Sequence, residues 1–402
     1  MIAGSRILLA VSGGIAAYKA ADLCSRLVQD GAVVDVLMTD GARRFVQPLT
    51  FNALTRRPVH SDAWDEWTPD RAGHVTLAAE TGLLLVAPAS ANALARLALG
   101  LAPDLLGMVA LSTEAPLLLA PAMEHHMWNH PATKDHVATL RGRGAVFIGP
   151  ESGRLASGAI GDGRLAAIDA IIDAAAVVLG RNGPLAGRTI VVTAGGTHEP
   201  IDPVRYVGNR SSGLMGYAIA RAARDRGASV RLVTGPTALT PPGGMDVVRV
   251  ESALDMFATV ERTTAGADAL VMAAAVADFR PATAADRKIK KQPGRDGLDL
   301  ALVRNPDILA SIDRPGLLKI GFAAETDDLL ANADAKLRAK GLAMIVANDA
   351  VATIGQADSE ATFLFPNRPP EPQSAMPKPA LAAVIADRLA ALLGPASPER
   401  TR

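Results

Sequence analysis

The sequence has little that would suit the chain to an oxidising compartment, to nucleic acid or to a membrane. Its single cysteine, Cys24, excludes an intrachain disulfide and fits a reducing compartment. The 41 basic and 41 acidic residues cancel to a formal net charge of +0, so no electrostatic attraction to nucleic acid or to an anionic surface is expected. No apolar run reaches the roughly 18 residues of a membrane span, since residues 82–100 are interrupted by Pro88 and Arg96. The start also lacks the layout of a signal peptide. We therefore expect a soluble, cytoplasmic protein.

Length and apolar content indicate a folded chain with more than one domain. The chain has 402 residues, too many for one ordinary core, and its 49% hydrophobic content argues against disorder. A short apolar run at residues 6–11 is followed by a Ser-Gly-Gly turn, a segment with helical spacing that ends at Gly31, and a second apolar run. This order of strand, turn, helix and strand predicts a parallel sheet. Further buried strands are predicted at residues 82–88, 116–121 and 145–150.

The same pattern begins again in the second half of the chain. Residues 189–196 have the form of a strand with a glycine turn, and residues 211–235 that of a helix followed by a strand. Later strands are predicted within residues 269–279, 318–325 and 342–349. We predict an α/β protein with two Rossmann-like parallel-sheet domains and a nucleotide-like site at the carboxyl ends of each set of strands. The predicted parts are a first domain at 1–180, a linker at 181–188, a second domain at 189–392 and a disordered tail at 393–402.

One stretch, PAMEHHMWNH at residues 121–130, raises the question of a metal site. Four of the seven histidines of the chain lie in it or just after it: His125, His126, His130 and His136. Adjacent His125 and His126 point to different faces of a helix, and the position of Glu124 does not give the HExxH spacing of zinc enzymes. The pattern therefore favours a loop with another role, and no metal ligands are predicted.

Several motifs resemble known families. VSGGIAAYK, the histidine of AGHVTLA, APASAN and PAMxxxMW together resemble the flavin-dependent cysteine decarboxylases. TAGGTHEPIDPVRYVGNRSSGLMG, AAAVADFRP, KIKK, RNPDI and GFAAET closely resemble phosphopantothenate–cysteine ligase. Over about residues 5–390, the chain resembles the bifunctional bacterial phosphopantothenoylcysteine decarboxylase / phosphopantothenate–cysteine ligase family of coenzyme A biosynthesis. The resemblance implies a flavodoxin-like N-terminal decarboxylase domain and a C-terminal ligase domain.

In the first half, the resemblance implies an FMN site at the ends of the first strands. Ser12, Gly13 and Gly14 lie between a strand and a helix, where backbone N–H groups can hold a phosphate. The other positions that match FMN contacts of the family are Thr39, Ser90 and Asn92. His74 occupies the histidine position of the family, which implies a base for the oxidation of the cysteinyl thiol.

Two residues depart from the decarboxylase pattern. The family has an asparagine after PAM that binds the substrate carboxylate, and Glu124 stands in that place. Two carboxylates repel each other unless one is protonated or screened, so His125 or His126 is a candidate replacement for the asparagine. The family also has a cysteine that donates a proton in the reductive step, and Ser157 stands in its place. A hydroxyl is a far weaker acid than a thiol, so both residues bear on whether the decarboxylase half works.

In the second half, the resemblance implies that CTP activates the carboxylate of 4'-phosphopantothenate, and that the amine of cysteine then attacks the acyl-cytidylate. The departing pyrophosphate needs fixed positive charge. Lys288 of KIKK is the implied triphosphate contact, and Lys336 and Lys340, one helical turn apart, are also expected to face CTP. Arg205 is the expected partner of the phosphopantothenate carboxylate or phosphate, and Asn209 is expected to hold the acyl-cytidylate.

The remaining ligase positions concern the nucleotide. Ala274 and Ala275 are small enough for a base to approach the backbone, and Asp278 matches a nucleotide contact of the family. The cytosine end of the site is expected to be lined by the following residues: Asn305, Pro306, Asp307, Ile308 and Phe322. The triphosphate implies Mg²⁺ as a cofactor, although the sequence shows no dedicated metal cage.

Three functional readings remain open at this point. The chain either performs both reactions, or is a working ligase with a flavin-binding but silent first half that serves in assembly, or stops at an oxidised enethiol for lack of a proton donor. A simple NAD(P) dehydrogenase is disfavoured because neither half has GxGxxG followed by an acidic residue. Since the decarboxylases build flavin sites within trimers and the ligases pair as dimers, the resemblance implies a large homo-oligomer such as a dodecamer.

Overall fold

The computed structural model describes residues 2–62, 64, 73–290, 297–325, 328–349 and 356–395. The chain divides into two compact units, residues 1–180 and residues 181–402. Each unit has its own central sheet and its own apolar clusters on the sheet faces. Among the helices of these described ranges, none combines the length and the apolar character that crossing a bilayer requires.

The first unit is built on a six-stranded parallel sheet. Its strands are β1 (Arg6–Val11), β2 (Val33–Met38), β3 (Val59–His60), β4 (Leu83–Ala89), β5 (Leu117–Pro121) and β6 (Val146–Phe147). The spatial order is β3-β2-β1-β4-β5-β6. Without the two-residue edge strand β3 this is the flavodoxin-like order, and with it the Rossmann order. The order reverses between β1 and β4, where open α/β sheets bind ligands.

Helices cover both faces of this sheet. They are α1 (Lys19–Gln29), α2 (Asp40–Arg43), α3 (Pro48–Thr55), α4 (Gly73–Glu80), α5 (Ala91–Leu99), α6 (Leu105–Ser112), α7 (His125–Asn129), α8 (Pro131–Gly142) and α9 (Ile168–Gly180). Successive residues of β1 enter opposite cores: Leu9 packs with Phe51 of α3, whereas Leu8 packs with Leu94 of α5. Burial on both faces explains why β1 is an uninterrupted apolar run. A separate antiparallel hairpin joins β7 (Glu151–Arg154) to β8 (Ile160–Arg164).

The second unit is built on an eight-stranded sheet. Its strands are β9 (Thr189–Ala194), β12 (Ser229–Thr234), β13 (Asp246–Arg249), β14 (Ala269–Met272), β17 (Leu318–Glu325), β18 (Met344–Asp349), β19 (Asp358–Leu364) and β20 (Glu371–Pro377), and two hairpins join β10 (His198–Asp202) to β11 (Arg205–Gly208) and β15 (Phe279–Pro281) to β16 (Leu302–Arg304). The order is β13-β12-β9-β14-β17-β18-β19-β20. Strand β19 runs antiparallel to both of its neighbours, β18 and β20. The order reverses between β9 and β14.

The helices of the second unit also lie on both sides of its sheet. They are α10 (Leu214–Arg224), α11 (Ala253–Thr263), α12 (Ile308–Ser311), α13 (Leu329–Ala339) and α14 (Lys378–Leu393). Ile219 of α10 and Ile385 of α14 pack in one cluster, and Met256 of α11 and Leu337 of α13 in the other. The start of α11 is fixed by a capping box between Ser252 and Asp255.

The structure confirms the α/β class with parallel sheets, and it differs from the predicted elements at several points. The strand predicted at residues 145–150 is only the two residues of β6, because the chain leaves the sheet before Pro150. Residues 181–188 are more than a linker, since Leu185 is fully buried in the second core. The start of the predicted tail is ordered, because Arg188 donates to the carbonyl oxygens of Leu393, Gly394 and Pro395. Residues 396–402 lie outside the described residues.

Candidate active sites

A cavity of about 480 Å³ opens at the carboxyl ends of β1, β2 and β4, at the point where the first sheet reverses its order. The predicted FMN positions that line it are Ser12, Gly13, Thr39, Ser90 and Asn92. Gly14 lies next to this set but outside the lining. Arg96, Asp104 and Met127 also line the cavity, and the sequence reasoning did not find them. Asp104 caps α6 through Gly107 N–H and pairs with Arg96 at 2.9 Å, so the pair fixes one wall.

A short hydrogen-bond chain connects the loops after β1 and β4. Ser12 is 2% exposed, and its hydroxyl donates to the carbonyl oxygen of Pro88 at 2.7 Å. The same hydroxyl accepts from the backbone N–H of Ser90 at 2.9 Å. Ser90 in turn caps α5, since its Oγ accepts from Ala93 N–H at 3.3 Å. Ser12 and Ser90 therefore set the geometry of the cavity floor and turn the positive end of α5 towards it.

The backbones of two glycines touch at the edge of the same cavity. A Cβ atom placed on Gly13 would lie 2.8 Å from the Cα and carbonyl carbon of Gly41, closer than real contacts allow. A Cβ on Gly14 would meet nothing within 4 Å. Gly41 lies in α2, which is capped by Thr39 through the N–H of Ala42 at 3.3 Å. Only glycine at position 13 lets the loop after β1 approach the loop after β2 this closely.

The PAMEHHMW segment packs against the hairpin β7–β8. Glu124 caps α7, because its Oε2 accepts from the N–H of His126 at 2.6 Å. His125 Nδ1 accepts from the N–H of Asp162 at 3.1 Å, and Met123 N–H donates to Gly163 O at 2.9 Å. Among the described residues, no group of three or more histidine, cysteine, aspartate or glutamate side chains is arranged to hold a metal ion. His125 therefore joins α7 to the hairpin, whereas Glu124 caps α7 locally.

Three expected decarboxylase residues do not line this cavity. His74 is half-buried in the first turn of α4. Ser157 is exposed in the turn of the hairpin β7–β8, and Glu124 is the cap of α7. Met127 of α7 does reach the cavity wall, so α7 brings the end of the PAMEHHMW segment to the site. Within a single chain, the expected catalytic groups thus lie outside the lining of the cavity that holds the expected FMN positions.

Two adjoining cavities, of about 470 and about 640 Å³, open at the corresponding edge of the second sheet. The predicted residues lining the first are Ala274, Asp278, Asn305, Pro306, Asp307, Ile308, Phe322, Lys336 and Lys340. The predicted residues lining the second are Asn209, Ala274, Ala275, Asp278, Phe322 and Lys336. The structure therefore brings together predicted residues that are more than 100 positions apart in sequence.

The floor between these cavities is made of backbone from the loops after β9 and β14. Ala275 N–H donates to Gly195 O at 2.8 Å, and Thr197 N–H donates to Ala275 O at 3.3 Å. The hydroxyl of Thr193 accepts from Ala274 N–H at 3.1 Å, and that of Thr197 accepts from Ala277 N–H at 3.0 Å. Two threonines that sequence reasoning missed therefore hold the small-residue segment in place.

Asn305 and Asp307 have structural contacts at the first of these cavities. Asn305 is 6% exposed, donates to Ala277 O at 2.8 Å and accepts from Arg280 at 3.0 Å, so the orientation of its amide is fixed by protein contacts. Asp307 caps α12 and pairs with Lys340 at 2.7 Å. Burial opposes ionisation of Asp307, but the hydrogen bond from Lys340 outweighs it with help from the N–H of Ala310, so the pKa of Asp307 is lowered.

Two further predicted side chains of the cavities, Lys336 and Asn209, donate to carbonyl oxygens. Lys336 Nζ donates to Phe322 O at 3.1 Å. Asn209 Nδ2 donates to Val276 O at 3.0 Å, at the end of the small-residue segment. Lys336 and Asn209 thus flank the segment that both cavities share, one from α13 and one from the loop after β11.

Arg205 and Lys288 are not part of either cavity lining. Lys288 is exposed in the loop after β15. Arg205 donates from Nε and Nη2 to Asp202 Oδ2, at 3.0 and 2.5 Å, and from Nη2 to Ile289 O at 2.9 Å. Arg205 thus forms an ion pair with Asp202, a partner that sequence reasoning missed although it stands three residues away in IDPVR, and the contact of Arg205 with substrate stays a prediction. Hydrogen bonds from Arg205, opposed by burial, lower the pKa of Asp202.

The fold and these cavities define a protein with two open α/β sheets, each with a nucleotide-sized site at its switch point. Two family descriptions match the two units: "Flavoprotein" matches residues 1–180, and "DNA/pantothenate metabolism flavoprotein C-terminal domain" matches residues 185–393. The first unit is thus a flavoprotein domain.

Curated relatives extend over the whole chain. It is 41% identical to the coenzyme A biosynthesis bifunctional protein CoaBC of Vibrio vulnificus, over 98% of this chain and 99% of that protein. It is 48% identical to the protein of the same name from Mycobacterium tuberculosis, over 85% of each chain. A solved C-terminal domain of a CoaBC protein is 38% identical, with a TM-score of 0.46, and covers 52% of this chain and 98% of that chain. The chain belongs to this family of bifunctional coenzyme A biosynthesis proteins, enzymes with a decarboxylase half and a ligase half.

Proposed function

We propose that the chain performs two consecutive reactions. The second unit joins 4'-phosphopantothenate to cysteine at the expense of CTP, and the first unit decarboxylates the resulting phosphopantothenoylcysteine to 4'-phosphopantetheine. The observation that carries the proposal is the convergence of residues from β14, β17, α12 and α13 on adjoining cavities at one switch point. The whole-chain relationship supports the same pair of activities, and it does not favour a silent first half.

In the ligase step, the substrate carboxylate attacks the α-phosphorus of CTP and pyrophosphate leaves. The amine of cysteine then attacks the acyl carbon, forming the amide and releasing CMP. Lys336 and Lys340 stand at the wall where negative charge accumulates, and Lys288 is the third cation assigned to the triphosphate. Asn209 Nδ2 donates to Val276 O at 3.0 Å and to Ala275 O at 3.5 Å, which holds its amide against the segment that both cavities share. Mg²⁺ accompanies CTP as the counterion of the triphosphate.

The base of the nucleotide is assigned to the wall formed by Pro306, Ile308 and Phe322. Ala274 and Ala275 present backbone without bulky side chains, which suits a planar group lying against the chain. Asn305 is oriented by Ala277 O and Arg280, and the second N–H of its amide stays available to the base. Asp278 lines both cavities and offers its carboxylate as an acceptor beside the assigned position of the base.

For the decarboxylase step, the cavity at Ser12, Ser90 and Asn92 fits FMN. Its glycine contact admits no Cβ at position 13, and the start of α5 offers backbone N–H groups to a phosphate. When bound, FMN would take two electrons from the cysteinyl thiol and return them to the enethiol that remains after carbon dioxide leaves, so that the reaction is redox-neutral overall. His74 takes the proton of that thiol, and carbon dioxide leaves from the oxidised substrate. Ser157 and the segment of Glu124 enclose the substrate near its carboxylate.

His74, Ser157 and Glu124 lie off the cavity lining of their own chain, so we propose that neighbouring copies complete the flavin site. This assigns the protein to a homo-oligomer, with trimers of the first unit and dimers of the second combined into an assembly such as a dodecamer. The exposed apolar side chains of Ile15, Tyr18 and Leu49 support contact with another copy.

One incubation tests both halves. Purified protein is mixed with 4'-phosphopantothenate, cysteine, CTP and Mg²⁺, and the products are read by mass spectrometry. Phosphopantetheine is the expected product. Accumulated phosphopantothenoylcysteine would mean a silent first unit, and a decarboxylated product two hydrogens short would place the fault at Ser157. No CTP-dependent condensation at all would overturn the proposal.

A further inference from the structure

We propose that Asp202 is a positioning residue of the ligase half, which holds the loop that carries Lys288. The inference rests on the proposed function, since Lys288 matters only if the second unit handles a triphosphate. Asp202 ends β10, and its side chain is fully buried.

Asp202 and Arg205 together hold both backbone groups of Ile289, the residue next to Lys288. The carboxylate of Asp202 accepts from Ile289 N–H at 3.1 Å. The guanidinium of Arg205 donates to Ile289 O at 2.9 Å, and to Asp202 at 2.5 Å. One peptide position is thus fixed from both sides by two side chains that also bind each other. The backbone at Lys288 inherits that position, because the two residues share a peptide bond.

The carboxylate itself has little freedom to move. Its Oδ1 accepts from the N–H groups of Val204 and Arg205 at 2.9 and 3.0 Å, which closes the turn between β10 and β11. A second hydrogen bond connects the same two segments, since Ala285 N–H donates to Ile201 O at 2.9 Å. Charge-assisted hydrogen bonds to a buried, rigid acceptor are among the stronger polar contacts in proteins. The turn between β10 and β11 and the loop that carries Lys288 are therefore held together, and Lys288 is exposed to solvent.

This arrangement gives Arg205 a second role beside the predicted contact with substrate. Its Nε and Nη2 groups are used by Asp202 and Ile289. Arg205 therefore serves the triphosphate by fixing Lys288, and loss of Asp202 would release both cations at once. A long lysine side chain on an unfixed loop samples many positions, so its contribution to triphosphate binding would fall.

The test is a double-mutant cycle on the full chain in the ligase reaction. Asp202→Asn, Lys288→Gln and the double variant are compared by KM for CTP and by kcat. Each single change is expected to lower kcat/KM for CTP by roughly 10- to 100-fold. In the Lys288→Gln background, Asp202→Asn should add less than about threefold, because the group it positions is already gone.

Controls separate positioning from misfolding and from failure of the proposed function. Asp387→Asn removes another ion pair of the same unit, that with Arg226 at 2.7 Å, and should leave KM for CTP unchanged. Circular dichroism checks that each variant is folded. If Asp202→Asn does not fold, Arg205→Lys tests the same positioning of Lys288 in its place. Multiplicative losses in the double variant would overturn the inference while leaving the ligase assignment intact. A wild-type chain without CTP-dependent condensation would overturn the ligase assignment itself.

Discussion

The imidazole of His125 lies against the backbone of Gly161. A Cβ atom on Gly161 would lie 2.5 Å from His125 Nδ1, and that nitrogen accepts from the next N–H, that of Asp162, at 3.1 Å. The histidine-rich stretch is thus joined to the hairpin β7–β8, whose turn carries Ser157. This contact gives a physical role to His125 that needs no metal ion.

We expect His125→Ala and Gly161→Ala to slow decarboxylation by a similar factor while leaving the ligase rate unchanged. Each change breaks the same hydrogen bond, which contributes roughly 0.5–1.5 kcal/mol. The double variant should be no worse than His125→Ala, because the added Cβ then has space. Gly142→Ala, where a Cβ would meet nothing within 4 Å, is the matched control. Additive losses would show that the two residues act separately. Decarboxylation of added phosphopantothenoylcysteine is the measurement.

The glycine pair at the flavin cavity gives a second prediction. Gly13→Ala forces a Cβ to within 2.8 Å of Gly41 backbone atoms and should destabilise the first unit by roughly 1–3 kcal/mol, with loss of flavin absorbance. Gly14→Ala, in open space, should keep both stability and flavin. Thermal unfolding and the absorbance spectrum of the purified proteins measure the two effects. Equal flavin content in the two variants would contradict the cradle assigned to Gly13.

Asp202 should make the second unit sensitive to acid. Hydrogen bonds from Arg205 and from backbone N–H groups lower the pKa of Asp202, with burial opposing. Between that lowered value and the ordinary value of about 3.9, the unfolded chain binds more protons, so stability falls as the pH falls. The stability difference between wild type and Asp202→Asn should be constant above about pH 5 and shrink below about pH 4. Denaturant unfolding followed by circular dichroism checks this, and a difference that does not depend on pH would contradict it.

Cys24 should be inert in the folded protein. It is 0% exposed in α1, and burial raises the pKa of its thiol to about 12. A thiol reagent should label Cys24 only after denaturation, and Cys24→Ala should leave decarboxylation unchanged. The family's proton-donating cysteine therefore has no thiol substitute in this chain. Labelling of the native protein with loss of activity would show that the thiol is accessible and used.

Two substitutions of Glu124 can distinguish the effect of its charge on substrate binding from its role as the cap of α7. Asparagine also caps helices well, so Glu124→Asn should keep α7 and remove one negative charge beside the assigned position of the substrate carboxylate. We expect a lower KM for phosphopantothenoylcysteine. Glu124→Ala lacks the acceptor for His126 N–H and should lose about 1 kcal/mol of stability. An unchanged KM in the asparagine variant would show that Glu124 does not face the substrate.

The fold class followed from short-range patterns. The apolar run of β1, the glycine turn and the helix after it repeat at β9 and α10, and such units allow few arrangements other than a parallel sheet. The hairpins β7–β8, β10–β11 and β15–β16 were not predicted, because their sequences do not alternate and their pairing depends on packing elsewhere.

The sequence by itself determined which residues could form the sites, because Ser12, Ser90 and Asn305 stand in recognisable motifs at strand ends. Only the tertiary structure decided what their side chains do. It oriented the amide of Asn305 through Ala277 O, paired Arg205 with Asp202 and buried Cys24. The physical reason is that a hydrogen bond or ion pair depends on distances between segments far apart in sequence. Those distances are set by sheet order and core packing, which a local pattern does not encode.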